Sequence, residues 1–183
     1  MELAILICRS PQSSDWELPL RDCLLIGWIV KPESFEGGAP WPVRHLLSQA
    51  LCRAATVSYL AHDGEPVPRS KHRIVTTREP SVATALFDDQ AYPWTQHGQA
   101  AFLSDEAPAI TAKLLTEVVG QRNPQAAERA GFKGVLLPGV DGAVAGLWMF
   151  DADELDVFIE TLRASAEVYL LSEDDFRLAL TTE

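Results

Sequence analysis

The sequence predicts one α+β domain spanning residues 1–183, with a mostly antiparallel sheet packed against three or four helices. Three observations predict it. Short continuous apolar runs bounded by Gly, Pro or polar residues read as strands, and two of them meet at an Asp-Gly turn. Other stretches repeat apolar residues three and four apart, the period of a helix with one buried face. A chain of 183 residues with 47% hydrophobic and 22% charged residues suffices for one core and is short for two domains.

The first strand is Leu3 to Cys8, an apolar run ended by Arg9-Ser10-Pro11 and too short for a helix, as expected of a strand buried on both faces. Cys23 to Val30 is the second, stopped by Pro32. Lys31 to Pro42 holds three prolines and Gly37-Gly38, so it reads as a loop, with Pro42 suited to begin a helix. Val43, Leu46, Leu47, Ala50, Leu51 and Ala54 then form one helical stripe. Thr56 to Ala61 favours strand and pairs in a hairpin with Arg73 to Thr77 across a long loop that contains Asp63-Gly64.

Ser81 to Phe87 allows one or two helical turns, and Asp88 to Ser104 reads as an irregular segment packed down by Tyr92, Trp94 and Phe102. A second helix is expected from about Asp105 to Gln121, with Ile110, Leu114, Leu115 and Val118 inward and Asp105-Glu106 at its start. Asn123-Pro124 opens a short helix that Gly131 closes. Val135 to Leu137 and Ala143 to Phe150 form the hairpin joined through Pro138-Gly139-Val140-Asp141-Gly142. An amphipathic helix follows, capped at Asp151 or Asp153 with Asp151 and Glu154 at capping-box spacing; it buries Leu155, Phe158, Ile159 and Leu162 and turns Asp153, Asp156, Glu160 and Glu167 outward. Ser172 and Asp175 cap a short last helix through Leu180.

Charge divides this chain unevenly. Of the formal −11, residues 141–183 carry −9, with eleven acids against Arg163 and Arg177, and residues 1–140 carry −2. Such a field repels nucleic acid and anionic lipid and speeds encounter with a basic partner. No apolar run reaches the roughly 18 residues of a membrane span, and the N-terminus lacks the basic region and cleavage site of a signal peptide. Three cysteines, an odd number with at least Cys8 and Cys23 in apolar surroundings, read as buried reduced thiols and favour the cytoplasm.

No catalytic, metal or nucleotide motif stands out. His45, His62, His72 and His97 are scattered without metal-ligand spacing, and no Cys-x-x-Cys, Gly-x-Ser-x-Gly, P-loop or Rossmann pattern occurs. No cofactor is expected. The basic cluster Arg69, Lys71, His72, Arg73 and Arg78 lacks a glycine-rich cradle or interleaved aromatics, so a solvated loop explains it. Paired acids at Asp105-Glu106, Asp153-Glu154 and Glu173-Asp174-Asp175 coincide with helix starts, where the dipole favours them. Asp88-Asp89 has no such explanation and, with Tyr92 and Trp94, is a candidate for a cleft or a partner surface.

The small size, the acidity and the run Leu137-Pro138-Gly139-Val140-Asp141-Gly142 through Gly146-Leu147-Trp148 into an acidic helix resemble bacterial immunity proteins that neutralise polymorphic or type VI secreted toxins, nuclease toxins in particular. The resemblance covers the C-terminal quarter. It implies a non-enzyme whose partner is a cognate basic protein toxin, with acidic side chains standing in for phosphate in the toxin's groove. Helical spacing then nominates Asp153, Asp156, Glu160 and Glu167 as contacts, with Asp88, Asp89, Tyr92 and Trp94 beside them. The competing expectation is a small enzyme or ligand-binding domain with a cleft formed by residues 88–102, His62 and the basic cluster.

Overall fold

Eight strands form one sheet in the order β4-β3-β5-β6-β7-β2-β1-β8. They are β1 (Glu2–Arg9), β2 (Leu24–Lys31), β3 (Thr56–Ala61), β4 (Arg73–Thr77), β5 (Ala101–Ser104), β6 (Gly134–Pro138), β7 (Ala145–Met149) and β8 (Glu167–Leu171). The computed structural model describes residues 2–16, 18–19, 21–31, 46–47, 50, 56–61, 73–78, 100–106, 108–139 and 144–181. Every neighbouring pair is antiparallel except β1 with β8, which run parallel from Ala4 opposite Glu167 to Cys8 opposite Leu171. The α+β class with a mostly antiparallel sheet is therefore as the sequence predicts.

Side chains alternate across the sheet, and both faces are apolar, which is why β1 and β2 read as unbroken hydrophobic runs. Ile5, Ile7, Leu24, Ile26, Leu103, Leu136 and Leu147 fill one face, against Phe158, Ile159 and Leu162 of α3 (Ala152–Arg163) and the helical residues Leu46, Leu47 and Ala50. Leu6, Cys8, Leu25, Phe102, Val135, Leu137 and Trp148 fill the other. That second face is covered by Leu114 of α1 (Ala112–Leu115), Val118 of the π-helical turn Thr116–Gly120, Ala126 and Ala127 of α2 (Gln125–Arg129), and Phe176 of α4 (Glu173–Thr181). The buried Trp148 ring keeps its indole N–H satisfied by donating to the Arg21 carbonyl at 3.0 Å.

Both predicted hairpins form. β3 and β4 pair from Val57 opposite Thr77 to Ala61 opposite Arg73. β6 and β7 pair from Gly134 opposite Met149 to Pro138 opposite Ala145, and the Gly139 N–H extends the ladder to the Val144 carbonyl at 2.9 Å. The Asp141-Gly142 turn itself lies outside the described residues.

Three expectations need correction. The helix expected from Asp105 begins only at Ala112, where Thr111, in an extended conformation, supplies the cap, its hydroxyl accepting from Leu114 N at 3.1 Å. The last part of the segment read as irregular, Ala101–Ser104, is strand β5 between β3 and β6, and Phe102 is fully buried there. The acidic helix stops at Arg163, so Glu167 is the first residue of β8 and not part of the helix surface. β7 and β8 run in the same direction with β2 and β1 between them, so α3 is the crossover that carries the chain over those two strands to the far edge.

Candidate partner-binding surface

The acidic surface is built on α3. Asp151 caps it in an extended conformation, its carboxylate accepting from Asp153 N at 2.9 Å. Burial of Phe158, Ile159 and Leu162 fixes the rotation of the helix, and three-and-four spacing then leaves Asp153, Asp156 and Glu160 exposed along the solvent side. With a rise of about 1.5 Å per residue the three carboxylates span about 10 Å of helix. Arg163 is the basic residue of α3, and it reaches back to Glu160 at 2.7 Å, an exposed i,i+3 pair of the kind worth at most about 1 kcal/mol.

Glu154 does not complete the expected capping box. It turns toward the sheet and pairs with Lys133, which also contacts Asp105 at 2.7 Å. Hydrogen bonds to Asp105 and then Glu154 push the Lys133 pKa up. Asp105, expected at a helix start, is thus part of a three-residue charge bridge that ties α3 to the ends of β5 and β6.

Glu167 stands on the edge strand, where its carboxylate accepts from the Tyr169 hydroxyl at 2.5 Å. Three of the four acids nominated on helical spacing therefore share a helix side, and the fourth belongs to the neighbouring strand. Asp88, Asp89, Tyr92 and Trp94 lie outside the described residues, as do the four histidines, Cys52 and all of the expected 88–102 cleft before Ala100.

A second group of charges sits where α4 meets the loop after β1. Ser172 caps α4, its hydroxyl accepting from Asp175 N at 3.2 Å. Glu173 accepts from Gln12 N at 2.6 Å, Ser13 N at 3.1 Å, Trp16 Nε1 at 2.8 Å and Arg177 Nη2 at 3.2 Å. Burial of this carboxyl works against ionisation, but the donors, with Gln12 N and Trp16 foremost, outweigh it and pull the pKa down to about 2. Every one of these bonds joins parts of this chain, so the cluster is explained as a brace.

Cys8 and Cys23 are free and buried, and burial raises both thiols; the neighbouring Glu173 charge adds to the effect on Cys8 and the Cys8 sulfur to that on Cys23. Neither is poised as a nucleophile. No group of three metal-ligating side chains occurs among the described residues, and no helix there is long and apolar enough to cross a membrane.

Sequence reasoning missed the apolar component. Val157, Tyr169 and Leu170 are each 47% exposed and Leu178 is 60% exposed, and these are the exposed large hydrophobics of the described residues. They lie on α3, β8 and α4, of which β8 is the last strand in the sheet order. The signal was present in Val168-Tyr169-Leu170-Leu171, four consecutive residues with strand character. Comparison with known proteins adds nothing to this geometry, since no protein-family model, curated protein or solved structure matches the chain.

Proposed function

We propose that this chain is an immunity protein that binds and neutralises a cognate, basic secreted toxin, a nuclease, through the acidic surface of its C-terminal quarter. The observation that carries the reading is the exposed row Asp153, Asp156 and Glu160 on a helix whose opposite side is locked into the core. A nuclease holds its substrate through Lys and Arg that neutralise phosphates, and a rigid row of carboxylates offers those side chains the same charge. The net −9 of residues 141–183 would steer a basic partner toward this end of the molecule and make association fast and salt-sensitive.

The test is co-purification with a toxin encoded next to this chain, followed by affinity measurement with D156K/E160K. Both positions are exposed, so the variant should fold as the parent does by circular dichroism. Toxin affinity is expected to fall by about 10- to 100-fold, the loss shrinking as salt is raised. Unchanged affinity at low salt would sink the acidic-helix reading.

A further inference from the structure

We propose that α4 and the loop after β1, residues 10–16, form one clasp that opens as a unit while the sheet stays paired, and that closes over the buried face holding Cys8. The proposal is independent of the toxin reading, since none of its residues belongs to the acidic row of α3.

Two kinds of contact hold the clasp. Between its halves they are polar and aromatic: Glu173 accepts from the Gln12 and Ser13 amides and the Trp16 indole, Arg177 reaches Asp15 and lies over the same indole, and Phe176 meets it edge-on. Neither half can leave without stripping the other of these partners, which is what makes the two one unit. Against the sheet the seat is narrow and apolar. A Cβ built on Gly27 of β2 would come within 3.0 Å of the Phe176 ring and 3.1 Å of Leu180, so α4 lies where β2 has bare backbone. Phe176 is the buried residue of α4, and elements with little buried apolar surface open at the low end of a protein's stability range.

The loop is loaded toward release. Ser10 and Asp22, near the two ends of the connection from β1 to β2, stand in the left-handed region at φ 54° and 56°, a conformation that non-glycine residues keep only where their surroundings impose it. The Ser10 carbonyl accepts from the Gln12 side chain at 2.9 Å while Glu173 holds the Gln12 amide, so closure of the clasp helps impose the turn at Ser10. On the other half, Ser172 is the single residue between β8 and α4, and opening there leaves the β8–β1 ladder in place. Beneath lies the cluster that Cys8 and Leu25 share with Trp16 and Phe176. Burial, and then the nearby Glu173 charge, keep the Cys8 thiol protonated; opening uncovers the sulfur and takes that charge away together.

The experiment follows amide hydrogen exchange, and alkylation of Cys8 by iodoacetamide, in the full chain, both resolved by peptide mass spectrometry, with one variant in each half. Leu180→Ala thins the seat of α4 on β2 and touches none of the Glu173 bonds; Trp16→Leu removes the indole from the loop half. Coupling within one unit is reciprocal. Each variant should therefore raise exchange about tenfold both in residues 173–181 and in the peptide holding Gln12 and Ser13, and raise Cys8 alkylation by the same factor, with the β1–β2 and β6–β7 ladders unchanged. Acceleration confined to the mutated half would overturn the unit, and acceleration spread equally over the ladders would show global unfolding in its place. Both halves opening with Cys8 alkylation unchanged would overturn the placement of the thiol beneath the clasp. The parent chain in urea below its unfolding midpoint gives the same reading without a variant: the two halves should share one opening slope, smaller than that of the ladders, and different slopes would overturn the proposal.

Discussion

The guanidinium carbon of Arg177 lies 4.6 Å from the ring centroid of Trp16, while its two terminal nitrogens contact Asp15 at 3.0 Å and Glu173 at 3.2 Å. One cation thus joins α4 to the Ser14–Trp16 turn through a ring face and two carboxylates. The same indole donates to Glu173 and packs edge-on to Phe176 at 5.4 Å, so Glu173 is the acceptor on which the brace converges.

Glu173→Gln tests that convergence. Glutamine keeps the shape and one acceptor oxygen but loses the charge that four donors address, and hydrogen bonds to a charged group are worth about 1.5–3 kcal/mol each, more than neutral ones. A loss of about 2 kcal/mol is expected, which for a chain of this size lowers the melting temperature by about 4–8 °C. Calorimetry checks it; a change under 1 °C would mean that the donors are equally satisfied by a neutral group.

The same carboxyl predicts an acid limb of stability. Its pKa is depressed in the folded chain, from the ordinary 4.5 to about 2, so its contribution is fully present above pH 4.5 and is lost as pH falls through 2. Urea unfolding followed from pH 5 to pH 2 should show stability declining in the parent with a steeper slope than in Glu173→Gln. Parallel slopes would show that this group does not set the limb.

A third prediction concerns the close approach of β6 and β7. A Cβ built on Gly134 would sit 2.6 Å from the Trp148 carbonyl oxygen and 2.8 Å from the Met149 sulfur. The thioether can swing aside, but the carbonyl belongs to the central ladder and cannot move without disturbing the strand pair. Gly134→Ala should therefore destabilise by about 1–3 kcal/mol, read as a lower urea midpoint with an unchanged slope.

What the sequence foretold follows a physical division. β1, β2, the β6–β7 hairpin and the α3 and α4 helices were legible because each carries its own apolar pattern and punctuation, such as Asp151 before α3 and Ser172 before α4. β5 was not, because Ala-Phe-Leu-Ser is weakly patterned and becomes a strand by insertion between β3 and β6. β8 was obscured by Ala164-Ser165-Ala166, which has no glycine or proline to mark the end of α3 and lets the helical period run on to Glu167. In the structure the Ser165 and Ala166 amides both donate to the Leu162 carbonyl, and the chain turns out to pair with β1. The acidic surface was accordingly readable on the helix, while the apolar edge beside it depended on a partner strand more than 150 positions away in the chain.

The pairing of β8 with β1 also orders events during synthesis. β1 and β2 leave the ribosome close together and can pair at once, yet the other side of β1 waits for residues 167–171, and the loop at Gln12 and Ser13 waits for Glu173, which is 161 and 160 positions later. Contacts so distant along the chain form late and slowly. The β1–β2 pair therefore waits, while the residues between are made, with one side of β1 unpaired, and a product cut short before β8 would be released with that strand edge open to aggregation.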